Sequence, residues 1–256
     1  MRLPRGTTVP ITPMRRLVCD MLRKSRQVPL TAIERTVPLA EVIAARQHAP
    51  VRPSWFAIFI KAYSAVSARR PELRQSFLTW PWERIHQHAC TVAALAVARD
   101  VPGDSGVLAY TIREPEKRPL AEIDALIRAA RTEPVQQIGP FRRQLRLARM
   151  PGALRRLAWW LLLDVSGKWR LKHAGTFGVT GVAALGSASL SLLSPLSTTI
   201  TYGVFSADGR ANVRLFYDHR IMDGIAPSSA LEELEAELRG PIRAELLASA
   251  PAAKAA

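Results

Sequence analysis

Residues that can carry acid–base chemistry lie together near the carboxyl end of the chain, in the stretch VRLFYDHRIMDGIAP at 213–227. Asp218 and His219 directly follow an alternating run that predicts a strand, and Asp223 comes four residues after the histidine. A histidine at a strand end can act as a general base near neutral pH when a neighbour fixes its tautomer. The same residues would also suit a surface ion cluster at a turn. From these residues alone both interpretations stay open.

Gly224 and the residues after it predict how the chain leaves this motif. Glycine adopts backbone conformations that are closed to other residues, so Gly224 predicts a tight turn. Ser229 and Glu232 then form an S-x-x-E capping box, followed by leucines at helical spacing. We therefore expect a turn and then a helix that is capped at Ser229.

The elements that must position the motif alternate between helix and strand signals. Helical spacing of apolar residues predicts helices over 14–27, 39–47, 54–70 and 120–133. Strand signals occur over 29–38, 88–98, 106–114 and 175–220, with the sequence ADGR at 207–210 as a hairpin turn. This mixture of strands and helices indicates an α/β fold built from packed layers.

The charge balance is strongly positive, with 36 Lys and Arg against 21 Asp and Glu, for a formal net charge of +15. Such a field favours polyanionic partners such as nucleic acid, anionic lipid, an acidic carrier protein or a phosphorylated cofactor, without choosing among them. Cys19 and Cys90 stand alone and predict neither a disulfide framework nor a thiolate metal site. The sequence shows no apolar run of ~18 residues and no signal peptide, so we expect a cytoplasmic protein.

The stretch 141–173 concentrates this charge, since it carries nine Lys and Arg against a single acid, Asp164. Trp159, Trp160 and Trp169 lie beside a leucine run in the same stretch. The combination is typical of a helix on an anionic membrane surface, or of an acyl-chain tunnel with a cationic mouth. It would also attract an acidic acyl carrier protein or the phosphates of coenzyme A. A structural alternative is that the apolar residues pack on the core or on a neighbouring subunit while the arginines are solvated.

Three other patterns do not support a further function. His86 and His88 would share a strand face, but no third ligand is nearby, so no metal site is predicted. The sequence GTFGVTG at 175–181 lacks the acidic residue and the βαβ unit of a dinucleotide fingerprint. No recognised nucleic-acid motif accompanies the charge, so nucleic acid is not an expected partner.

The motif FYDHRIMDG at 216–224 resembles the D-H-R-x-x-D-G signature of one family. This family is the catalytic domain of the acyltransferase component of 2-oxo acid dehydrogenase complexes, which is similar in fold to chloramphenicol acetyltransferase. MRRLVCDML at 14–22 resembles its first helix, and GTFGVTGVAALG at 175–186 resembles its glycine-rich strand and turn. LSPLSTTITYGV at 193–204 resembles the strand that follows. The resemblance spans about residues 13–247.

The resemblance implies an α/β fold of the chloramphenicol acetyltransferase type, a two-layer sandwich in which helices pack on a mixed β-sheet. Residues 1–13 would form an amino-terminal arm and 14–248 the acyltransferase catalytic domain. Within that domain 141–173 would be a basic insertion rich in Trp and Leu, and 249–256 would be a flexible tail.

The chemistry implied by the resemblance is acyl transfer from a thioester. His219 would take a proton from the attacking thiol or hydroxyl, with its Nδ1 held by its own backbone carbonyl. Thr180, in the position of the hydroxyl residue of the family, would stabilise the tetrahedral oxyanion. Asp223 would pair with a basic residue of the first helix, Arg15 by preference and Arg16 as second choice. The remaining motif residues, Asp218, Arg220 and Gly224, would support the loop structurally.

The family works as a trimer in which the histidine of one subunit and the hydroxyl residue of the next form each active site. We therefore expect a homotrimer whose monomer is inactive. The chain has no room for the lipoyl and subunit-binding domains of the complexes, so a stand-alone catalytic domain is expected. Its donor would be a thioester of coenzyme A or of an acyl carrier protein, and its acceptor a hydroxyl, amine or thiol.

The resemblance implies no tightly bound cofactor and no metal, since coenzyme A would be a co-substrate. The alternative from another functional class is a non-catalytic trimeric scaffold, or a membrane-surface binding module, with the same fold. A third hypothesis is a detached acyltransferase of an oxo-acid dehydrogenase. Contact with an anionic membrane would add a peripheral location to the cytoplasmic one.

Overall fold

A six-stranded mixed sheet is the centre of the computed structural model, which describes residues 6–181 and 190–249. The strands are β1 (Leu30–Pro38), β2 (Gln75–Leu78), β3 (Arg84–Gln87), β4 (Val92–Val101), β5 (Asp104–Arg113), β6 (Phe177–Thr180), β7 (Thr198–Tyr202) and β8 (Arg210–Asp218). Their order in the sheet is β1-β8-β7-β6-β4-β5, and β6 runs parallel to both of its neighbours while the other pairs are antiparallel. Strands β2 and β3 form a separate antiparallel pair.

The helices are α1 (Pro13–Ser25), α2 (Ala40–His48), α3 (Trp55–Arg69), α4 (Leu120–Thr132), α5 (Gly139–Arg149), α6 (Gly152–Trp160), α7 (Gly167–His173), α8 (Ile225–Glu237) and α9 (Arg243–Ala248). A π-helical stretch, Leu161–Val165, continues α6, and another, Leu238–Ile242, joins α8 to α9. The structure thus confirms the predicted α/β class with helices packed on a mixed sheet.

Helix α3 packs against the sheet and forms the centre of the core. Its side chains are apolar almost all round, which is the pattern of a helix buried on several sides. Phe59 stacks on Tyr202 of β7 with 4.4 Å between ring centroids, and Tyr63 meets Phe177 of β6 edge-on at 4.9 Å. These contacts fix α3 across β6, the strand that ends at Thr180, and its neighbour β7.

The helix predicted over 54–70 is confirmed with bounds set by local chemistry. Ser54 precedes α3 and its Oγ accepts a hydrogen bond from the backbone N–H of Ala57 at 3.3 Å. The helix ends at Arg69 because the residue before a proline, here Arg70 before Pro71, is driven out of the helical region.

The ADGR hairpin is confirmed, and the structure shows why glycine is needed there. Gly209 has φ +77°, and a Cβ at this position would lie 2.8 Å from Cα of Ala40. Both the left-handed backbone and the close approach exclude a side chain. The strand before the turn is shorter than predicted, since β7 ends at Tyr202 rather than continuing to Ser206.

The predicted start of the last large helix is wrong. Helix α8 begins at Ile225, four residues before the expected cap at Ser229, and Gly224 precedes it with φ −56°. Pro227 lies in the first turn, where a missing backbone N–H costs nothing. The predicted turn before the helix does form, but Gly224 has an ordinary helical conformation, so its special backbone freedom is not used there.

The predicted arm and tail lie only partly within the described residues. Residues 6–12 of the arm have no regular secondary structure, and α1 begins at Pro13 with Thr12 as its N-cap. Residues 1–5 of the arm and 250–256 of the tail lie outside the described residues.

Candidate active site

His219 lies on the turn that directly follows β8. Its backbone N–H donates to the carbonyl of Pro29 at 3.1 Å, so the chain entering β1 holds the turn from one side. Its side chain is 48% exposed, and its ring lies 5.6 Å from that of Tyr217. The backbone of His219 is thus held in place while its imidazole stays partly exposed.

The buried Asp218 and the partly buried Arg220 form an ion pair that shapes this turn. Asp218 is 1% exposed and accepts hydrogen bonds from Nε of Arg220 at 2.9 Å, from Nη2 at 2.7 Å and from the backbone N–H of the same residue at 3.1 Å. The guanidinium also lies 4.3 Å from the ring centroid of Phe77 on β2. A bidentate pair of this kind fixes orientation as well as charge. The structural role of both residues stays a prediction.

Asp223 is brought to His219 but not to Arg15. Its Oδ1 lies 3.7 Å from Nδ1 of His219, and its side chain is 90% exposed. Arg15 is in the first turn of α1, beside a cleft of about 620 Å³ that Asp100, Gly103 and others line at the β4–β5 turn. His219 instead contacts Pro29, which follows the carboxyl-terminal end of α1. The two ends of this thirteen-residue helix are ~18 Å apart.

Neither Arg15 nor Arg16 forms an ion pair with Asp223 among the described residues, so the structure does not bring the predicted pair together within one chain. The predicted hydrogen bond from Nδ1 of His219 to its own carbonyl stays a prediction.

Thr180 is the last residue of β6 and is half-buried. It pairs with Thr201 of β7, which in turn pairs with Arg214 of β8, so these three residues form one row across the sheet. Residues adjacent in such a row share a face, and this row lies on the face opposite the buried Leu215. The residues of the glycine-rich motif from 182 onward lie outside the described residues.

The glycines before Thr180 allow β6 to sit deep in the sheet. Gly175 has φ +88° and a Cβ there would be 2.8 Å from the carbonyl of Val92, while a Cβ on Gly178 would be 2.9 Å from Oγ1 of Thr199. Between them, the backbone N–H of Thr176 donates to the carbonyl of Val92 at 2.8 Å, and its Oγ1 accepts from the backbone N–H of Val92 at 3.0 Å. The two glycines of the motif GTFG are therefore needed because neighbouring strands leave no room for a side chain at 175 and 178.

Thr180 and His219 lie toward opposite ends of the sheet. The row of Thr180 meets β8 at Arg214, and His219 comes five residues further along the chain. At the rise of an extended strand this is a separation of ~17 Å along the strand direction. One chain therefore does not place the predicted base beside the predicted oxyanion donor.

A buried polar set that sequence reasoning missed lies behind the His219 turn. The carbonyl of Ser197 accepts from the backbone N–H of Asp218 at 2.8 Å, and Oγ of Ser197 donates to Oγ of Ser76 at 3.4 Å. Nε2 of His88 lies 2.9 Å from the same Ser76 hydroxyl. Burial, with smaller contributions from His86 and Arg170, lowers the pKa of His88 to about 4. A neutral histidine therefore supports the turn at physiological pH.

The two histidines of β3 and the turn after it do share a face, as predicted, with their rings 4.9 Å apart. A Cβ on Gly167 would lie 2.1 Å from His86, so the histidine packs directly against the start of α7. The described part of the chain contains no cluster of three metal-ligating side chains. The pair is part of the packing around the turn.

The stretch 141–173 contains three short helices and a π-helical stretch rather than one long helix. Two ion pairs connect it to α1, one from Arg155 to the buried Asp20 at 2.7 Å and one from Lys24 to Asp164. Within the described ranges no helix is both long and apolar enough to cross a membrane.

Solved structures of several acyltransferases share this architecture. A probable dihydrolipoamide acetyltransferase from Listeria monocytogenes aligns with a TM-score of 0.62 and 19% identity over 91% of this chain and 94% of that chain. The dihydrolipoamide acetyltransferase of Azotobacter vinelandii gives 0.63 and 19% over 95% of each chain. Chloramphenicol acetyltransferase gives 0.51 and 13% over 86% of this chain and 94% of its own. These likenesses establish the predicted chloramphenicol acetyltransferase-like fold.

Sequence comparison adds the family. No curated protein sequence matches the chain. The family described as 2-oxoacid dehydrogenases acyltransferase (catalytic domain) matches residues 4–137, which is more than half of the chain. This match ends before Thr180 and His219, so it is independent of the motif at 216–224. The chain belongs to the 2-oxoacid dehydrogenase acyltransferase family, as a catalytic domain with the fold of that family.

Proposed function

We propose that the protein moves an acyl group from a thioester of coenzyme A or an acyl carrier protein to a hydroxyl, amine or thiol, with His219 as general base. The observation that carries this proposal is the position of the imidazole. Its backbone is held by Pro29, its Nδ1 lies 3.7 Å from Asp223, and its side chain is 48% exposed. A carboxylate near Nδ1 favours the proton there and leaves Nε2 to accept one from the acceptor group.

The separation of Thr180 from His219 supports a site shared between subunits. Thr180 would supply the oxyanion donor from one subunit and His219 the base from the next, in a homotrimer. The related enzyme from Azotobacter vinelandii was studied for the catalytic roles of a serine, a histidine and an asparagine four residues after that histidine. Asp223 stands four residues after His219, which supports assigning the two residues to corresponding positions.

Relatives also support assembly from more than one chain, since one of the similar structures is the cubic core of the pyruvate dehydrogenase complex. In this proposal coenzyme A is a co-substrate, and the protein needs no tightly held cofactor. The net charge of +15 would attract the phosphates of coenzyme A or the acidic surface of a carrier protein. The reaction would take place in the cytoplasm.

The test is thiol release from a series of acyl-coenzyme A thioesters of increasing chain length, with the acceptor classes supplied in turn. We expect His219→Ala to lower turnover by about 10²–10⁴-fold, the usual contribution of general-base catalysis. The control is His48→Ala, because this exposed histidine lies at the end of α2 and its Nδ1 is hydrogen-bonded to the carbonyl of Ala44 in its own helix.

Equal turnover by the two variants would remove His219 from the mechanism. A wild-type protein that is silent with every coenzyme A thioester and every acyl carrier thioester would overturn the proposal. That outcome would favour the alternative of a non-catalytic trimeric scaffold.

A further inference from the structure

The basic stretch 141–173 keeps most of its charge free of partners. Of its nine Lys and Arg, Arg155 pairs with Asp20, and Arg170 is buried and donates to the carbonyls of Leu163 and Pro195. The single acid of the stretch, Asp164, is neutralised by Lys24 of α1. Among the described residues, the other seven cations have no side-chain hydrogen bond or ion pair.

Helices α5 and α6 turn different side chains inward and outward. Helix α5 buries Phe141 and Ala148, whereas Arg142, Arg146 and Arg149 lie at spacings of four and three on its exposed face. Helix α6 contains no buried residue and is held to α1 through Arg155. The outward face of α5 is therefore a stripe of arginines.

The outward face of α6 combines a free cation with exposed apolar side chains. Leu154 is 52% exposed and Leu157 is 48% exposed, and Arg156 lies beside them. Met150, in the connection from α5, is 42% exposed. Exposed leucines on two successive turns next to an unpaired arginine have no partner within the described chain that would explain them.

Two tryptophans of the β2–β3 connection extend this face. The ring of Trp80 meets that of Trp160 at the end of α6, with 5.6 Å between centroids. The backbone N–H groups of Thr79 and Trp80 donate to the carbonyl of Asp164, which holds the connection against the π-helical stretch. Trp80 is 51% exposed and Trp82 is 68% exposed. We name the outward side chains of α5 and α6, together with Trp80 and Trp82, the tryptophan–arginine surface.

We propose that the tryptophan–arginine surface binds the protein to an anionic lipid bilayer. Cations attract the headgroups, while indole rings and leucines enter the boundary between headgroups and acyl chains. A partner that interacts by charge alone, such as a nucleic acid, would gain nothing from the exposed leucines and indoles. The surface combines both properties on adjoining elements, which is the chemistry of an interfacial lipid site.

The test is sedimentation of the full-length protein with vesicles of phosphatidylcholine, or of phosphatidylcholine and phosphatidylglycerol in equal parts, without any acyl donor. We expect binding to the anionic vesicles only, weakened by salt. The double variant Arg142→Gln/Arg146→Gln should lower affinity by about 25-fold, since each cation near such a surface contributes about fivefold. Trp82→Ser should lower it by about tenfold through lost apolar burial.

The matched control is Arg52→Gln/Arg239→Gln, which removes the same charge from exposed positions on other elements and should change affinity by less than about threefold. Equal binding to neutral vesicles, or an equal loss in control and surface variants, would overturn the proposal. A surface that binds a DNA duplex or an acidic carrier protein through the arginines without Trp82, and does not bind vesicles, would be a polyanion site instead. Because no acyl donor is used, failure here leaves the proposed acyl transfer standing.

Discussion

The end of β6 and the turn after β8 supply the two halves of the proposed chemistry and are held in place by different forces. At the β8 turn, hydrogen bonds hold the chain in place. The buried side chain of Asp218 is bound by Arg220, and its backbone N–H donates to the carbonyl of Ser197. The backbone N–H of His219 donates to the carbonyl of Pro29. At the end of β6, glycines permit close packing of backbone and Thr199. Polar side chains therefore support the turn that carries His219, and close backbone packing supports the strand that carries Thr180.

The difference teaches that, in the proposed mechanism, one chain provides the base and the oxyanion donor at two separate places and does not bring them together. The two halves are ~17 Å apart along the strands, which is far beyond hydrogen-bond reach. Strand β7 connects the two halves, since Thr201 pairs with Thr180 and the carbonyl of Ser197, just before β7, accepts from Asp218. Four predictions test this comparison.

The largest effect is expected from mixing two inactive variants. Thr180→Val and His219→Ala should each lower turnover by at least about 10²-fold when expressed alone. Co-expressed chains that assemble at random into trimers should recover about a quarter of wild-type turnover, because that share of sites combines an intact threonine with an intact histidine. Thiol release by the purified mixed trimers measures the recovery.

As a control, the two variants are combined after each has assembled into its own trimers. No turnover should be recovered as long as the trimers do not exchange subunits. Mixed trimers that stay inactive would show that the two residues do not form one site between subunits.

The polar half should be sensitive to loss of charge in the turn. Asp218→Asn leaves Arg220 partly buried without its carboxylate, so we expect the free energy of unfolding to fall by about 3 kcal/mol. Urea titration measures this change. The control is Asp208→Asn, because Asp208 and its partner Arg210 are both 62% exposed and such pairs contribute little. A loss of the same size in both variants would contradict the supporting role of the buried Asp218.

Acid should weaken the polar half through His88. The pKa of His88 in the folded protein is lowered to about 4, so the folded state resists a proton that the unfolded state accepts near its ordinary pKa of 6.5. The stability from this difference is present above pH 6.5 and is lost as the pH falls toward 4. Between pH 7 and pH 5 the loss is about 2 kcal/mol.

Urea titrations at the two pH values should therefore show a smaller acid-dependent loss in His88→Gln than in the wild type. The variant His48→Gln, which changes an exposed histidine, should keep the full loss. An unchanged acid dependence in His88→Gln would show that the buried imidazole is not the cause.

The packed half should respond to a single added methyl group. In Gly178→Ala the new Cβ would lie 2.9 Å from Oγ1 of Thr199, so Thr199 or the strand must shift, at a cost of about 1–2 kcal/mol. In Gly224→Ala the nearest atom is the Tyr217 hydroxyl at 3.7 Å, an ordinary contact, and the change should stay below about 1 kcal/mol. Thermal unfolding of both variants compares them, and a larger loss at Gly224 would contradict the packing argument.

The elements with strong patterns were predictable from the sequence. The predictions of α3 and of the Gly209 hairpin were correct because each depends on local chemistry. Helix α3 ends before Pro71, and the hairpin needs a glycine with a left-handed backbone. The start of α8 was predicted wrongly because the sequence contains two possible helix starts, one at Ile225 and one at Ser229. The capping pattern at Ser229 was followed, while the helix begins earlier at Ile225 with Pro227 accommodated in its first turn.

The candidate site was predictable only in part. The position of His219 at a strand end follows from the alternation in β8, but the distance of Arg15 from Asp223 depends on the direction of α1 relative to the sheet. That direction is set by contacts between distant parts of the chain, such as Arg155 with Asp20. The support of the turn by Ser76 and His88 was hidden for the same reason, since β2 and β3 are far from β8 in sequence.

Arg170 makes the basic stretch a part that cannot be excised. Its guanidinium donates to the carbonyls of Leu163 at 2.8 Å, Pro195 at 2.7 Å and Phe77 at 3.5 Å, so it joins its own stretch, the segment before β7 and strand β2. Burial lowers its pKa to about 10, which still leaves it charged at neutral pH. If 141–173 were removed, β2 and the segment before β7 would lose the donor that they share, and the buried Asp20 would lose its ion pair with Arg155. Substitutions on the exposed faces of these helices can therefore leave the fold intact, whereas deletion of the whole stretch would remove contacts that hold the sheet region together.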